Sequence, residues 1–445
     1  MNRPDNVRIN NEIDIKKHKI LMNKKIVIIG GGFAGLNFIK NSKSKDYHIT
    51  LVDRNNYTFF PPLLYQVATS FLEPSSISYP FRKMLRKKNN VNFKLGEIVR
   101  IIPERKQIIL TTGELDYDYL ILATGTETNY FGIENVRKKA IPMKTVNDSL
   151  EMRNHLLKQL EHATMFVDNH EILRKKLNIV VAGGGPTGVE ISGMLAEMQT
   201  IFRKDYPEFN AVKLQSSIYL VDGAAQLLSP MSKKSQENTF KALEKMGVKI
   251  ILNAQVLNYE NDKVVLSNGE VIETENLIWA AGITSQIFVG LPENCYGKGK
   301  RLLVDTYNKI EVLADIYAIG DTCIQMADSN FPLGHPQVAQ VALQQGKTLA
   351  RNLDNLLEKK PLSPFIYKDK GSMAIISHNK AVVDLPGGVH FKGTIAWLIW
   401  LFIHLMSLVH YRNRITTLYN WVVAYFTKDQ ALRMIIRPKN LNFKS

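Results

Sequence analysis

Two short stretches carry residues whose spacing suits nucleotide chemistry. In the first, the apolar run Ile26 to Ile29 leads straight into Gly30-Gly31-Gly32-Phe33-Ala34-Gly35. This reads as a buried strand and a G-x-G-x-x-G turn that opens a helix. Gly30 permits the tight turn, Gly32 lets backbone approach a pyrophosphate, and Gly35 lets the helix pack on the strand, so a diphosphate rests on the helix N-terminus. Asp53, closing the run His48 to Asp53, stands where a ribose hydroxyl is held. The device then recurs. Asn178 to Ala182 runs into Gly183-Gly184-Gly185-Pro186-Thr187-Gly188, and Ser217 to Val221 ends at Asp222. Two complete fingerprints imply two dinucleotides. A dehydrogenase with one nucleotide leaves the second unexplained, whereas a flavin enzyme fed by a nicotinamide needs both.

Further candidates follow strand ends, where glycine lets backbone approach a ligand. Asp116 to Ala123 ends in Thr124-Gly125, Asn276 to Ala280 in Ala281-Gly282, and Ala314 to Ile319 in Gly320-Asp321. Ahead of these, after Asp53, lies Tyr57 to Ala68, with two prolines, which reads as an ordered loop and helix start. It is either a core-packing loop or a wall against a flat aromatic cofactor, with Pro62, Leu63 and Tyr65 facing it. A long helix is expected from Gln337 to Leu356, its start marked by Pro336. Gln340 and Gln344 share one face of it, as a ligand contact or as a solvated polar stripe.

The elements that must position these groups follow from periodicity. Thr145 to Lys176 reads as helix and Val91 to Leu110 as hairpin material; Asn268-Gly269 between two short apolar runs is a hairpin turn. The length of 445 residues suits roughly three domains. Lys and Arg number 57 against 41 acids, a net +16 that favours an anionic partner. With no zinc-finger spacing, no aromatic RNA-binding signature and no long basic run, nucleic acid is excluded as that partner. The two cysteines, Cys295 and Cys323, form no C-x-x-C, which suits a reducing intracellular compartment and no metal site. Residues 1–23 lack an apolar signal-peptide core and read as a polar extension, with Ile13 to Met22 open to a short helix.

The C-terminal end has its own character. Ile395 to Val409 is almost wholly apolar with Trp397 and Trp400, and Leu418 to Phe426 carries Trp421 and Tyr425. The first run is shorter than the roughly 20 residues needed to cross a bilayer, so a helix pair lying in the membrane interface is expected. A buried core helix and a true span from His390 to Tyr411 are the alternatives. Arg433, Arg437, Lys439 and Lys444 would meet anionic headgroups.

Taken together these residues resemble the type II NADH:quinone oxidoreductases, single-chain respiratory dehydrogenases of the two-dinucleotide flavoprotein superfamily. The resemblance rests on both fingerprints, Pro61-Pro62-Leu63-Leu64-Tyr65-Gln66-Val67-Ala68, Ala-Thr-Gly at 123–125, Ala-Ala-Gly-Ile at 280–283 and Ile-Gly-Asp at 319–321. More specific are Ala339-Gln340-x-x-x-Gln344-Gln345-Gly346 and the tail Ala396-Trp397, His404-Leu405 and Arg412-Asn413-Arg414. It implies non-covalent FAD, oxidation of NADH and reduction of a membrane quinone without proton pumping. It also implies a place on the cytoplasmic face of the cell membrane, against anionic lipid, and leaves a homodimer open.

By position, Gly30, Gly32, Gly35 and Asp53 would hold the adenosine and pyrophosphate of FAD, with Tyr65, Thr124, Gly125, Gly320 and Asp321 along the rest of it. Gly183, Gly185, Gly188, Asp222, Ala281 and Gly282 would hold NADH. Asp222 is followed by Gly-Ala-Ala rather than arginine, which disfavours NADPH. Glu190 matches a family glutamate near nicotinamide and flavin; its plainer role is a helix N-terminal carboxylate held by the dipole. Gln340 and Gln344 would line the quinone pocket, with Lys392 and Ile395 at its membrane-facing entrance. The implied fold is α/β, with two Rossmann-like domains and a C-terminal membrane-associating helical segment. FAD-binding parts would be 24–145 and 296–358, the NADH domain 146–295, and the C-terminal domain 359–445. The chain departs from the family at Ile376-Ser377-His378, where Ile-Gly-Arg is usual, and at His410, where glycine is usual.

Overall fold

The computed structural model describes residues 24–210, 217–427 and 432–436. The polar extension 1–23, with the short helix expected at Ile13 to Met22, and the basic residues Arg437, Lys439 and Lys444 lie outside the described residues. From the N-terminal side run β1 (Lys24–Ile29), α1 (Phe33–Asn41), β2 (Tyr47–Asp53), α2 (Leu64–Ala68), β3 (Val91–Leu95) and β4 (Tyr119–Leu122). The region of the second fingerprint holds β5 (Ile141–Pro142), α3 (Val146–Ala163), α4 (His170–Leu177), β6 (Ile179–Ala182) and α5 (Pro186–Asp205). It continues with β7 (Ile218–Val221), α6 (Lys233–Lys245), β8 (Val248–Ile251) and β9 (Asn276–Trp279). Then come β10 (Ile316–Ala318) and α7 (Ala339–Leu357), and finally β11 (Ser372–Ser377), β12 (Lys380–Leu385), β13 (Val389–Lys392), α8 (Gly393–Ser407) and α9 (Tyr411–Thr427).

These elements form two compact units, each gathered from separate stretches. Among the described residues, those within 24–58, 80–127 and 284–369 make the first, and those within 59–79, 128–283 and 370–436 make the second. The chain thus passes from one unit to the other at 58–59, 79–80, 127–128, 283–284 and 369–370.

The first unit is built on a five-stranded sheet in the order β10-β4-β1-β2-β3, parallel throughout. Its strands are apolar on both faces because helices and loops cover both, which is why Ile26 to Ile29 shows no alternation. Ile26, Ile28, Ile49, Leu51 and Ile121 pack on one side with Phe38 and Leu349. Val27, Ile29, Leu120, Leu122 and Ile316 pack on the other. Val91 to Leu95 is the edge strand of this parallel sheet rather than part of a hairpin; the antiparallel strands begin only at Ile98. Along α1 lies α7. A Cβ on Gly346 would come 2.4 Å from the Ala34 carbonyl oxygen, so glycine sets how closely the two helices approach. That helix starts at Ala339, two residues later than expected, because Val338 is still extended at φ −131° and ψ 152°.

The second unit repeats the architecture, with a parallel sheet in the order β5-β9-β6-β7-β8. The helical stretch expected over Thr145 to Lys176 is broken in two. Asn169 accepts hydrogen bonds from the backbone N–H groups of Glu171 and Ile172 and so caps a second helix, α4. The expected Asn268-Gly269 hairpin is present between Lys263–Leu266 and Val271–Glu273. A third, antiparallel sheet, β11-β12-β13, belongs to the same unit. On it lies α5, at a closeness only Gly193 allows, since a Cβ there would be 1.6 Å from the Ile376 carbonyl oxygen. The apolar C-terminal runs form α8 and α9. The Asn413 amide fastens α9 by donating to the carbonyls of Ser75, Ser76 and Ser78 at 2.9–3.0 Å.

Replacing Gly346 by alanine is expected to force α7 away from α1 and to destabilise the first unit by roughly 1–3 kcal/mol. Thermal unfolding checks this; an unchanged midpoint would mean that the helices part without cost.

Candidate functional site

The first fingerprint folds into a cradle for reasons that are steric at every step. Gly30 has φ +106°, and a Cβ there would lie 2.3 Å from the Ala123 carbonyl oxygen; at Gly35 it would lie 2.1 Å from the Gly30 carbonyl oxygen. At Gly32 it would meet nothing within 4 Å, so that side of the turn is open to a ligand. No side chain caps the N-terminus of α1, which leaves its first N–H groups for an anion. Asp53 closes the turn by accepting the Gly31 N–H at 2.7 Å and the Asn55 N–H at 2.8 Å. Burial raises its pKa although both bonds favour the carboxylate.

In the second unit the geometry recurs almost atom for atom. Gly183 has φ +112° and its Cβ would sit 2.4 Å from the Ala280 carbonyl oxygen; that of Gly188 would sit 1.8 Å from the Gly183 carbonyl oxygen. Gly185, like Gly32, faces open space. Asp222 accepts the N–H groups of Gly184 and of Ala224. Next to this cradle Gly282 lies against Phe131, and its carbonyl accepts the Asn129 N–H at 3.0 Å. Ala281 is exposed beside it. Both cradles fit a diphosphate and its ribose.

The remaining positions named for FAD in the first unit line the loops after β4 and β10. The Thr124 hydroxyl donates to that of Thr322 at 3.3 Å, and Gly125 has φ +69° with free space where a Cβ would stand. Gly320 has φ +79° and donates its N–H to Gln345 Oε1 at 2.7 Å. The Asp321 carbonyl accepts from the Ser285 hydroxyl and the Gln337 amide. Gln345, 2% exposed, is the residue that sequence reasoning passed over. It faces inward from α7 and fixes the Gly-Asp loop, whereas the neighbouring Gln344 is half-buried and exchanges two hydrogen bonds with the backbone of Lys368, at 2.8 and 3.0 Å. Gln340 Oε1 accepts from the Tyr367 hydroxyl at 3.4 Å.

In the second unit the site residues gather around a buried acid. Glu190 lies one turn inside α5, beyond the reach of a simple N-terminal dipole anchor. Burial pushes its carboxyl up to about 8, against the pull of a hydrogen bond from the Ile375 backbone. It is therefore largely protonated at neutral pH. Tyr65, 2% exposed, sits on α2, which packs on α5; burial first and the Glu190 charge second drive its hydroxyl well above the usual tyrosine range. Lys392 is exposed and reaches Asn238 at 3.5 Å, while Ile395 stands out from α8. Close to Lys392, Ser235, His390 and Asp384 look like a hydrolytic set. However, both the serine and the aspartate contact the same ring nitrogen, Nδ1, and Nε2 is taken by Asn238. That arrangement ties α6 to β12 and β13 and activates no nucleophile.

Neither cysteine can serve as a redox pair. Both are buried and free, and burial pushes the Cys323 thiol up to about 12 and raises that of Cys295.

Two parallel-sheet cradles, one in each unit, and a buried acid in the second define a pyridine-nucleotide flavoprotein. The family model described as "Pyridine nucleotide-disulphide oxidoreductase" matches residues 24–346, and that of the "NDH2 C-terminal domain" matches 370–428. A type II NADH:quinone oxidoreductase of Mycobacterium tuberculosis is 35% identical over 91% of this chain and 88% of its own length. The solved structure of NDH2 from Plasmodium falciparum, in complex with NADH, superposes with a TM-score of 0.84 at 24% identity, over 93% of this chain and all of that one. The sulfide:quinone oxidoreductase of Aquifex aeolicus shares the fold at a TM-score of 0.70 and 19% identity, over 91% and 96% of the two chains. The chain belongs to the type II NADH:quinone oxidoreductase family, whose cofactors are FAD and NADH.

Replacing Gln345 by methionine leaves the Gly320 N–H buried without a partner, at a cost of roughly 1–3 kcal/mol, and is expected to lower flavin retention. Flavin content after gel filtration checks this. Glu190 gives a second test. Its folded-state value lies above the ordinary 4.5, so between about 4.5 and 8 the folded chain binds the extra proton and stability falls as pH rises. Glu190→Gln is expected to remove that slope, so the variant gains on the wild type from pH 5 to pH 9 in denaturant titrations; parallel curves would refute the buried-acid assignment.

Proposed function

We propose that the chain oxidises NADH bound in the second cradle and delivers two electrons to a membrane quinone, uncoupled from proton pumping. The observation that carries this reading is the duplicated cradle, FAD in the first and NADH in the second. When bound, the flavin supplies the capacity to take up a hydride and release its two electrons separately from the nicotinamide. The chain's own residues bind, orient and protonate. Gly30, Gly32, Gly35 and Asp53 hold the diphosphate and ribose of FAD, and Gly183, Gly185, Gly188 and Asp222 do the same for NADH. Because both Asp222 oxygens are already aimed along the loop and no arginine follows, a 2′-phosphate would meet a fixed negative charge, so NADH is preferred to NADPH.

Quinone reduction consumes two protons, and Glu190 is the acid that supplies one, since it is protonated at neutral pH in dry surroundings. Gln340 provides an amide for the quinone; Gln344, with both ends of its amide on the Lys368 backbone, acts by fixing the start of α7. Lys392 and Ile395 are assigned to the quinone entrance.

The apolar faces of α8 and α9 are assigned to the surface of an anionic membrane. Ile395, Leu398 and Phe402 on α8 and Ile415, Tyr419 and Phe426 on α9 are all more than 45% exposed, and Arg412 lies beside them in the sequence. Among the described residues no helix is long and apolar enough to cross a membrane, which accords with an interfacial seat.

Two measurements test the reading. In anaerobic stopped-flow, Gln340→Ala and Glu190→Gln are expected to leave bleaching of flavin absorbance by NADH intact and to slow its recovery on adding a short-chain quinone by ten-fold or more, about 1.4 kcal/mol; equal loss of both phases would remove them from the quinone step. In co-sedimentation, Phe402→Glu is expected to reduce binding to vesicles containing anionic lipid, and unchanged binding would place the membrane contact elsewhere.

A further inference from the structure

Within the first unit, Arg301 directly precedes the short strand Leu302–Val304, which pairs in parallel with Cys323–Gln325, the strand leaving the Gly320-Asp321 loop. That pairing brings its side chain, 9% exposed, to Cys323. From one edge of the guanidinium, Nε donates to the Cys323 carbonyl at 2.7 Å and Nη2 to the His335 carbonyl at 3.1 Å. A buried cation is costly unless its hydrogens are taken up, so its needs hold these two carbonyls together. His335 lies in the strap 326–338, which joins this strand to α7 and is fixed along its length. His335 Nε2 donates to Asp328 Oδ2 at 2.9 Å, with both side chains buried. The Asn330 N–H donates to the other carboxylate oxygen at 3.0 Å, and the N–H groups of Phe331 and Gly334 close turns onto the carbonyls of Asp328 and Phe331 at 2.9 and 2.8 Å. Gly334 rests on Ile324, whose side chain would lie 2.4 Å from a Cβ there, and the His335 ring stands edge-on to Phe365 at 5.2 Å. Two residues on, the Gln337 amide donates to the Asp321 carbonyl at 2.9 Å.

We propose that Arg301 and the Asp328–His335 pair are positioning residues for the flavin site: by clamping the strap to the Cys323 carbonyl they place Gln337 on the Asp321 carbonyl, and so fix the loop that grips FAD. The inference deepens the assignment of the Gly320-Asp321 loop to FAD and rests on it. The loop is then held at each residue by a different element. Gln345 of α7 takes the Gly320 N–H at 2.7 Å, while the strap, through Gln337, and the Ser285 hydroxyl at 3.2 Å hold the Asp321 carbonyl. Because these bonds are made by the chain itself, the cofactor does not have to order the loop on binding, which favours tight retention.

The test follows release of FAD from the diluted holoenzyme by the rise of flavin fluorescence. Gln337→Met, which removes only the bond to Asp321, is expected to speed release about three-fold, and Arg301→Met about ten-fold, the effects of one neutral and one charged hydrogen bond. The double variant is expected to release FAD no faster than Arg301→Met alone, since both changes act through the same amide. Arg301→Lys keeps the charge but is a point donor that cannot span two carbonyls, so it is expected to stay well above the wild-type rate. Affinity for NAD⁺, bound in the other unit, is expected to match wild type. Wild-type release in Arg301→Met, full rescue by lysine, multiplied effects in the double variant or a parallel loss of NAD⁺ binding each overturns the proposal. Should Arg301→Met fail to fold, Asp328→Asn takes its place in the same comparison. Asp321→Ala separates the two layers. If it speeds release and the strap variants do not, the proposal falls while the loop's assignment to FAD stands; if it releases FAD as the wild type does, that assignment falls and the proposal with it.

Discussion

The structure depends first on how closely two pieces of backbone can approach. In each cradle the strand must turn into the helix so tightly that the third glycine lies on the carbonyl of the first, where a Cβ would be 2.1 Å away in one unit and 1.8 Å in the other. The first glycine must in turn lie under the loop after the third strand of the same sheet. No side chain is tolerated at either contact, and the positive φ of Gly30 and Gly183 adds a conformational reason to the steric one. From this constraint the rest follows. The helix N-terminus is brought to the end of the strand, with no side-chain cap in the first unit, and the acid at the end of the next strand reaches the middle glycine. A diphosphate is then the chemical group that completes what the backbone leaves open.

The two cradles differ in what surrounds them. Around the first, polar atoms fix the loops: Gln345 on Gly320, Ser285 and Gln337 on Asp321. In the second unit Glu190 is itself buried, its proton affinity raised by that burial, and Leu63, Tyr65, Val67 and Trp400 of the same unit are buried as well. This contrast separates holding from chemistry. A loop that must keep its shape profits from satisfied hydrogen bonds, while an acid that must keep its proton at neutral pH profits from dry surroundings that penalise its charge.

What could be read from the sequence was whatever is constrained locally. Glycine spacing, the acid about twenty residues on, and the Asn-Gly turn all state requirements met within a few residues, and both fingerprints fold as their spacing demands. Strand partners are another matter. Val91 to Leu95 is a short apolar run, and nothing within it distinguishes a hairpin arm from the edge of a parallel sheet. The break before α4 was visible only as an asparagine, whose capping role needs the helix beyond it. Among three glutamines in six residues of α7, the one that fixes the Gly-Asp loop is chosen by which face meets α1, information held by residues three hundred positions earlier. Trp421 and Gln66 lie 355 residues apart in sequence, so their bond has no trace in either segment.

Glu190 is where stability and the proposed function part. An apolar side chain of similar size in that position would avoid the desolvation that raises the carboxyl to about 8, and the folded chain would be more stable at neutral and alkaline pH. The groups that set its proton affinity include no cation: burial raises it, and one backbone hydrogen bond, from Ile375, lowers it. That bond lowers the cost of charge without removing it, which leaves the proton affinity between that of a free carboxylate and that of a fully isolated one. A group that only held structure would gain from either extreme, full pairing or full replacement. The intermediate setting suits a group that must both keep a proton and lose it, which is what the role proposed for Glu190 requires near neutral pH.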